Sequence, residues 1–392
     1  MSFDCKCRKF FNTKFFFKTI FKFASNNLNQ MTYSKLAINK ENLRHNYDYF
    51  RSKLAQSTKL LVLVKANAYG HGDVECSKLL EEFGTDYLGV ATVEEGKRLK
   101  NEGIKLPIIV LTPGNDNFEE IIKYSLEPSI VNFDSLQSFV TSLKTLSKTK
   151  YPAHIKLDTG MHRVGFVKSE IDLLSNLLKQ NPYIEVKSVF SHLAAADEAV
   201  HDEFTRSQIE LFEEIYANLS DKIESKPIKH ILNSAGIERF SYAQFDMARL
   251  GIGIYGISYV NPDCLKPVGF LKAPIIHIRE ISEGTVGYGR HGDLNGKAKK
   301  IATIPLGYAD GVNRHLGRGS ASFSLNGIRV PTIGNICMDA TMLDITGVDA
   351  KLGDIVTIFG DNPKAREIAD ILKTIPYEIF TSISARVKRV VE

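Results

Sequence analysis

The run Val64-Lys65-Ala66-Asn67-Ala68-Tyr69-Gly70-His71-Gly72 ends a short apolar stretch on a lysine. An unpaired ammonium at the end of a buried strand is costly. Desolvation lowers its pKa and turns the amine into a nucleophile or a Schiff-base former. A lysine whose stem lies along apolar surface while its head reaches water is the structural alternative. Four later apolar runs also end in polar or glycine-bearing segments: Lys156-Leu157-Asp158-Thr159-Gly160-Met161-His162-Arg163, Ser191-His192, Asn233-Ser234-Ala235-Gly236 and Arg249-Leu250-Gly251-Ile252-Gly253. Small hydroxyl and glycine residues suit a phosphate held by backbone N–H groups. Taken singly, His192 reads equally as a satisfied imidazole and Arg163 and Arg249 as structural ion-pair partners. Tyr69, Tyr288, Tyr308 and Tyr377 could each be core or interface aromatics.

These residues need a scaffold that brings strand ends together. From Thr32 onward, short β-branched runs alternate with helical patterns, the signature of parallel βα units. Candidate strands are Leu60–Ala66, Tyr87–Thr92, Pro107–Leu111, Pro128–Asn132, His154–Asp158, Val186–His192, His230–Asn233 and Met247–Tyr255. Between them lie stretches with helical spacing, such as Ile171, Leu174, Leu177 and Leu178, or Ile209, Phe212, Ile215 and Tyr216. Eight such units predict an α/β fold, a (β/α)8 barrel of the TIM type, whose chemistry belongs at the C-terminal strand ends and whose phosphates sit after strands seven and eight. The rival open doubly wound sheet would carry GxGxxG after its first strand, and none is there. After about Lys266 helical periodicity fades. Candidate strands Ile275–Ile281, Lys300–Ile304, Ile328–Ile333 and Ile355–Phe359 are separated by turn residues, with Asn326-Gly327 a strong hairpin signal. The expected division is a basic Phe/Lys-rich extension over 1–30, a barrel over 31–265 and a mainly β domain over 266–392.

VKANAYGHG, KLDTGMHRVGF, SHLAAADE, NSAG, ARLGIGIYG, VGYGR, PLGYADG, GNICMD and PYEIFTSISAR, in this order, resemble the alanine racemase family from about Tyr33 to the C-terminus. The resemblance implies a pyridoxal 5'-phosphate-bearing barrel, a C-terminal β domain and a homodimer whose two sites are completed across the interface. By that resemblance Lys65 matches the lysine that holds the cofactor. Tyr69, Asn233, Ser234, Tyr377 and the backbone at Gly251 and Ile252 match the surroundings of its phosphate. Arg163 would lie near the phenolic oxygen and the substrate carboxylate, His192 would stack on the ring, and Arg249 would face the pyridine nitrogen. Tyr288, the backbone of Met338 and Tyr308 at the entrance would come from the other subunit. Lys156 matches a position that is carbamylated in some relatives, with a free lysine or a bound anion as alternatives. Leu193 and Ile254 depart from the commonest motif wording only as apolar swaps.

The implied activity is interconversion of L-alanine and D-alanine by two bases, Lys65 and Tyr288, supplying D-alanine for cell-wall peptidoglycan. The rivals are a broad-specificity racemase, a related decarboxylase and a non-catalytic carrier of the same cofactor. The 392 residues carry a net charge of +5, and the first thirty already supply it, so no basic nucleic-acid footprint is expected. Lys14, Lys18 and Lys22 interrupt that block, which is too polar to span a bilayer and would suit a membrane surface, a targeting role or an untranslated upstream stretch before Met31. Five cysteines at irregular spacing favour a reducing, cytoplasmic setting and offer no metal-ligand pattern.

Overall fold

The computed structural model describes residues 33–114 and 117–392, so the expectations for the 1–30 block lie outside the described residues. The first strand, β1 (Lys35–Ile38), is followed by eight parallel strands: β2 (Lys59–Leu63), β3 (Tyr87–Val90), β4 (Ile108–Val110), β5 (Glu127–Ile130), β6 (Tyr151–Lys156), β7 (Ile184–Phe190), β8 (Ile228–His230) and β9 (Met247–Leu250). They pair in the order β8-β7-β6-β5-β4-β3-β2-β9. Two backbone bonds bridge the remaining seam, Arg249 N to the Leu232 carbonyl at 3.1 Å and Asp246 N to the Lys229 carbonyl at 3.1 Å. The sheet is thereby closed into the expected barrel.

Strands covered on both faces read as continuous apolar runs, and Leu60, Leu61, Val62 and Leu63 are all buried. Leu61 and Leu63 share one face, where Gly89 makes room for them: a Cβ there would stand 2.6 Å from the Leu63 side chain. The expected helical stripes form Ile171–Gln180 and Asp202–Ile223. Helix starts are fixed locally, by a Thr92/Glu95 capping box and by Asn132 and Asn233, whose side chains accept from the third helical N–H.

The C-terminal part is mainly β, as expected. β10 (Gly269–Pro274), β15 (Ser322–Leu325), β16 (Ile328–Pro331), β18 (Ile355–Phe359) and β19 (Lys388–Val391) join one six-stranded sheet. β11 (His277–Ile281), β14 (Lys299–Ile304) and β17 (Thr341–Asp344) form a second sheet, and β12 (Thr285–Val286) with β13 (Gly292–Asp293) a small third. Two features differ from the sequence reading. The single strand read over Ile275–Ile281 is the point where the chain changes sheets: Ile275 N bonds the Asp354 carbonyl and Ile276 N the Thr303 carbonyl before β11 begins. The second is β1, which lies in the C-terminal sheet, antiparallel to β10 and parallel to β19. Residues 35–38 thus cross the division between 31–265 and 266–392, because burial of Leu36 and Ile38 is completed by strands more than 200 residues away.

Candidate active site

Lys65 leaves the end of β2 and enters an unusual turn. Ala66, Asn67, Ala68 and Tyr69 all have φ between 50° and 55°, a short left-handed helix. For L-residues this conformation costs roughly 1–2 kcal/mol each, so other contacts must hold it. Ala66 N donates to Glu95 Oε1 at 2.7 Å, whose other oxygen takes Ala91 N, also at 2.7 Å. Gly70 (φ 86°) ends the turn, and a Cβ there would sit 1.9 Å from the Phe380 carbonyl oxygen. Arg389 Nε donates to the Gly70 carbonyl at 3.0 Å. The C-terminal domain therefore clamps the turn, and its helix Pro376–Thr381 delivers Tyr377 beside Tyr69, with ring centroids 5.9 Å apart.

A cavity of about 540 Å³ opens at this barrel mouth. It is lined by Lys65, Tyr69, Lys156, Arg163, His192, Asn233, Ser234, Arg249, Gly251, Ile252 and Tyr377, so eleven of the fourteen residues singled out in the sequence converge there. At one end Ser234 Oγ accepts from Gly251 N at 2.9 Å and Gly253 N at 3.3 Å. A Cβ on Gly251 would stand 3.1 Å from the Tyr69 hydroxyl and 3.7 Å from Ser234 Oγ, so a side chain would fill the space that these groups surround. Asn233 plays a different part. Its oxygen accepts from Gly236 N and its amide donates to the Leu193 carbonyl, so it shapes the helix start at Ser234.

Arg249 is 3% exposed. Nη1 donates to His230 Nδ1 at 2.9 Å, and Nη2 to the Ser191 carbonyl at 2.6 Å, the Ile231 carbonyl at 3.0 Å and His192 Nδ1 at 3.1 Å. Burial and the charge of Arg163 lower its pKa to about 9, which leaves it charged at neutral pH. Burial holds His192 well below the ordinary histidine value, reinforced by Arg249, Lys156, Arg163 and Lys65, so its ring is neutral. Lys65 is lowered first by burial and then by Arg163, against an opposing pull from Glu95. Lys156, 5% exposed, is lowered to about 7 by burial and Arg249; its ammonium has the Leu157 carbonyl at 2.8 Å. Arg163 is carried by a loop closed through Asp158 N to the Phe166 carbonyl and Phe166 N to the Lys156 carbonyl, both 2.9 Å.

Tyr288, Tyr308 and Met338 do not line this cavity. They are 73%, 45% and 53% exposed and gather on the C-terminal domain. Tyr308 N bonds the Cys337 carbonyl and Ala309 N the Met338 carbonyl, while Asn335 Nδ2 donates to the Tyr288 carbonyl at 2.8 Å. Sequence reading missed Glu95, although Thr-x-x-Glu is a visible capping pattern. It also missed His230 and Phe190, which lie against Arg249 on the barrel strands, where nothing local marks them. Among the described residues no group of three or more His, Cys, Asp or Glu is placed to hold a metal, and no helix is long and apolar enough to cross a membrane.

The sequence pattern "Alanine racemase, N-terminal domain" matches residues 38–259, and "Alanine racemase, C-terminal domain" matches 268–391. The chain is 37% identical over 378 residues to alanine racemase 2 of Caldanaerobacter subterraneus subsp. tengcongensis, covering 91% of this chain and 94% of the relative. It is also 36% identical over 371 residues to an alanine racemase of Methanococcus maripaludis, covering 89% and 95%. Among solved structures it superposes on the alanine racemase of Clostridium difficile 630 with a TM-score of 0.85 at 35% identity, covering 92% and 95% of the two chains. The alanine racemase of the D-cycloserine producer Streptomyces lavendulae matches with the same TM-score at 29% identity, covering 92% and 97%. With both halves matched and these relatives aligned over most of their length, the chain belongs to the alanine racemase family of isomerases.

Proposed function

We propose that this chain interconverts L-alanine and D-alanine with pyridoxal 5'-phosphate held at the barrel mouth. The observation that carries the reading is the placement of Lys65 in one cavity with a phosphate-sized cradle and a buried arginine. The cradle consists of Ser234 Oγ, Tyr69, Tyr377 and the backbone at Gly251 and Ile252, and the space that a Gly251 Cβ would fill fits a phosphate oxygen. Bound pyridoxal phosphate supplies the electron sink that acidifies the substrate Cα–H.

The rest is the work of the chain. Lys65 anchors the cofactor and, its pKa lowered by burial, takes or returns the Cα proton at Nζ on one face. His192, neutral, would flank the cofactor ring, and Arg163 would orient the substrate carboxylate. Arg249 uses both Nη groups on the protein and would offer Nε–H to the pyridine nitrogen. Because arginine does not readily give up a proton, it would hydrogen-bond that nitrogen without protonating it. On the opposite face the second base is Tyr288 of a second copy of the chain, with Tyr308 and Met338 of that copy forming the entrance. Their shared exposure on one surface supports this homodimeric arrangement. Lys156, lowered to about 7, has enough neutral amine to add to CO2, releasing a proton and becoming a carbamate anion between Arg163 and Arg249.

D-alanine for peptidoglycan is the corresponding cellular role, and the free Cys76, Cys264 and Cys337 accord with a cytoplasmic setting. Chiral analysis of products across the amino acids tests the activity: alanine should be racemised far faster than any longer amino acid. Borohydride reduction and peptide mapping should place a pyridoxyl group on Lys65. Its appearance on another lysine, or no cofactor at all, would sink the reading.

A further inference from the structure

Barrel interiors are ordinarily filled by bulky aliphatic layers. Here one side of the interior is polar. Glu127 on β5, His154 on β6, Ser188 on β7, His230 on β8 and Arg249 on β9 each occupy successive neighbouring strands. Each touches the next: Glu127 Oε2 and His154 Nε2 at 2.7 Å, His154 Nδ1 and Ser188 Oγ at 2.6 Å, Ser188 Oγ and His230 Nε2 at 2.9 Å, His230 Nδ1 and Arg249 Nη1 at 2.9 Å. His154, Ser188 and His230 are at most 1% exposed, whereas the Glu127 side chain is 15% exposed. Five polar groups in a row across a barrel are costly unless every member is satisfied.

The chemistry of the two ends fixes the direction of the row when each imidazole carries a single proton. A guanidinium has donors only, so His230 Nδ1 must accept from Arg249 and its proton must lie on Nε2. Burial and the neighbouring Arg249 hold His230 well below the ordinary histidine value, which agrees with a neutral ring. His230 then donates to Ser188 Oγ, the serine hydroxyl donates to His154 Nδ1, and His154 donates from Nε2 to the Glu127 carboxylate. The opposite direction would set a His230 N–H against an arginine N–H. Among the described residues no carboxylate contacts Arg249, so Glu127, four hydrogen bonds away, is the anion that terminates its row. Tyr87 lies edge-on to His154 at 6.4 Å, and Phe190 stacks on His230 with ring centroids 5.0 Å apart, so both imidazoles are held in plane.

We propose that Glu127, His154, Ser188 and His230 are positioning residues forming a one-way hydrogen-bond relay, which commits Arg249 Nη1 to the barrel and leaves Nε–H as its donor to the cavity. The relay's direction follows from the hydrogen bonds with each imidazole carrying a single proton. Its consequence for catalysis rests on the reading of the cavity given under Proposed function.

The first test uses the intact protein with 15N-labelled histidine at neutral pH, with His154→Gln and His230→Gln assigning the signals. Both rings should show a protonated Nε2 and an unprotonated Nδ1. A proton on Nδ1 of either ring overturns the relay, whether or not the protein racemises alanine, so this result is separable from failure of the functional reading. The second test is Ser188→Ala, which touches neither the cavity nor the substrate. It should leave the His230 Nε2–H without an acceptor and lower kcat by about tenfold, the worth of roughly one buried hydrogen bond, with KM within about twofold. Glu127→Gln, at the accessible end, should lower kcat at constant KM in the same sense. A kcat unchanged in both variants, or a loss confined to KM, overturns the positioning role.

Discussion

In the proposed function the barrel mouth and the outer face of the C-terminal domain would hold the two halves of the chemistry, and they are built differently. At the barrel mouth Arg249 is fixed by His230, Ser191, Ile231 and His192, and Ser234 Oγ by the N–H groups of Gly251 and Gly253. On the outer face Tyr288 stands 73% exposed on a short turn. That turn adjoins a small satellite core of buried Val286, Leu294, Ile301 and Ile333, separate from the main core. Buried, multiply bonded groups can be aimed within one chain, whereas an exposed tyrosine gains a fixed environment only when another surface covers it. The difference teaches that the barrel mouth is preorganised by folding and the outer face would be completed by assembly.

The sharpest way to break this comparison is subunit mixing. Lys65→Ala and Tyr288→Ala should each lose roughly 10²-fold or more of racemisation, the scale of a positioned acid–base group. A heterodimer of the two contains one site with both defects and one with neither, so activity should return on mixing. Tyr288→Ala alone should retain solvent deuterium exchange preferentially with D-alanine, the enantiomer that the family resemblance assigns to Lys65. Verified subunit exchange without recovery, or equal slowing of both exchange reactions, would show that the two regions do not share a site.

Gly70→Ala strikes the clamp between barrel and C-terminal domain. With φ 86° and a Cβ 1.9 Å from the Phe380 carbonyl, it should cost about 2 kcal/mol or more and loosen Tyr377. The change is read as a fall in Tm together with weaker cofactor retention; an unaltered Tm would mean the turn is not clamped.

Lys156 sharpens the account of the barrel mouth. Its folded-state pKa of about 7 lies below the ordinary lysine value of about 10.4, so in CO2-free buffer the folded chain gains stability as pH rises from about 7 to about 10.4. Lys156→Met lacks the buried charge, and its Tm should exceed the parent's most below pH 7 and converge with it in alkali. Added bicarbonate should raise the Tm of the parent and leave the variant unmoved; no response in either would argue against a carbamate. The smallest effect is expected from beginning the chain at Met31, which should leave dimerisation, Tm and racemisation unchanged. Loss of any of them would show that the Phe/Lys-rich block contributes to one of the two regions.

Much of this was legible in the sequence because its physical causes are local. Apolar runs such as Leu60–Leu63 mark strands covered on both faces, stripes such as Ile171, Leu174 and Leu178 mark helices, and a lysine closing an apolar run marks Lys65 as a residue with a task. Alternation of such runs with helical stripes determined the order of elements and thereby the barrel. Tertiary structure decided what depends on distant partners. β1 joins a sheet whose neighbours lie more than 200 residues away. The left-handed turn after Lys65 persists because Glu95, Phe380 and Arg389 hold it. Glu127, His154, Ser188 and His230 meet only because parallel pairing sets the register of four strands, and barrel closure then brings Arg249 to them. Short-range periodicity reports which face of a strand is buried, while the partner of a buried polar group is set by closure of the whole chain.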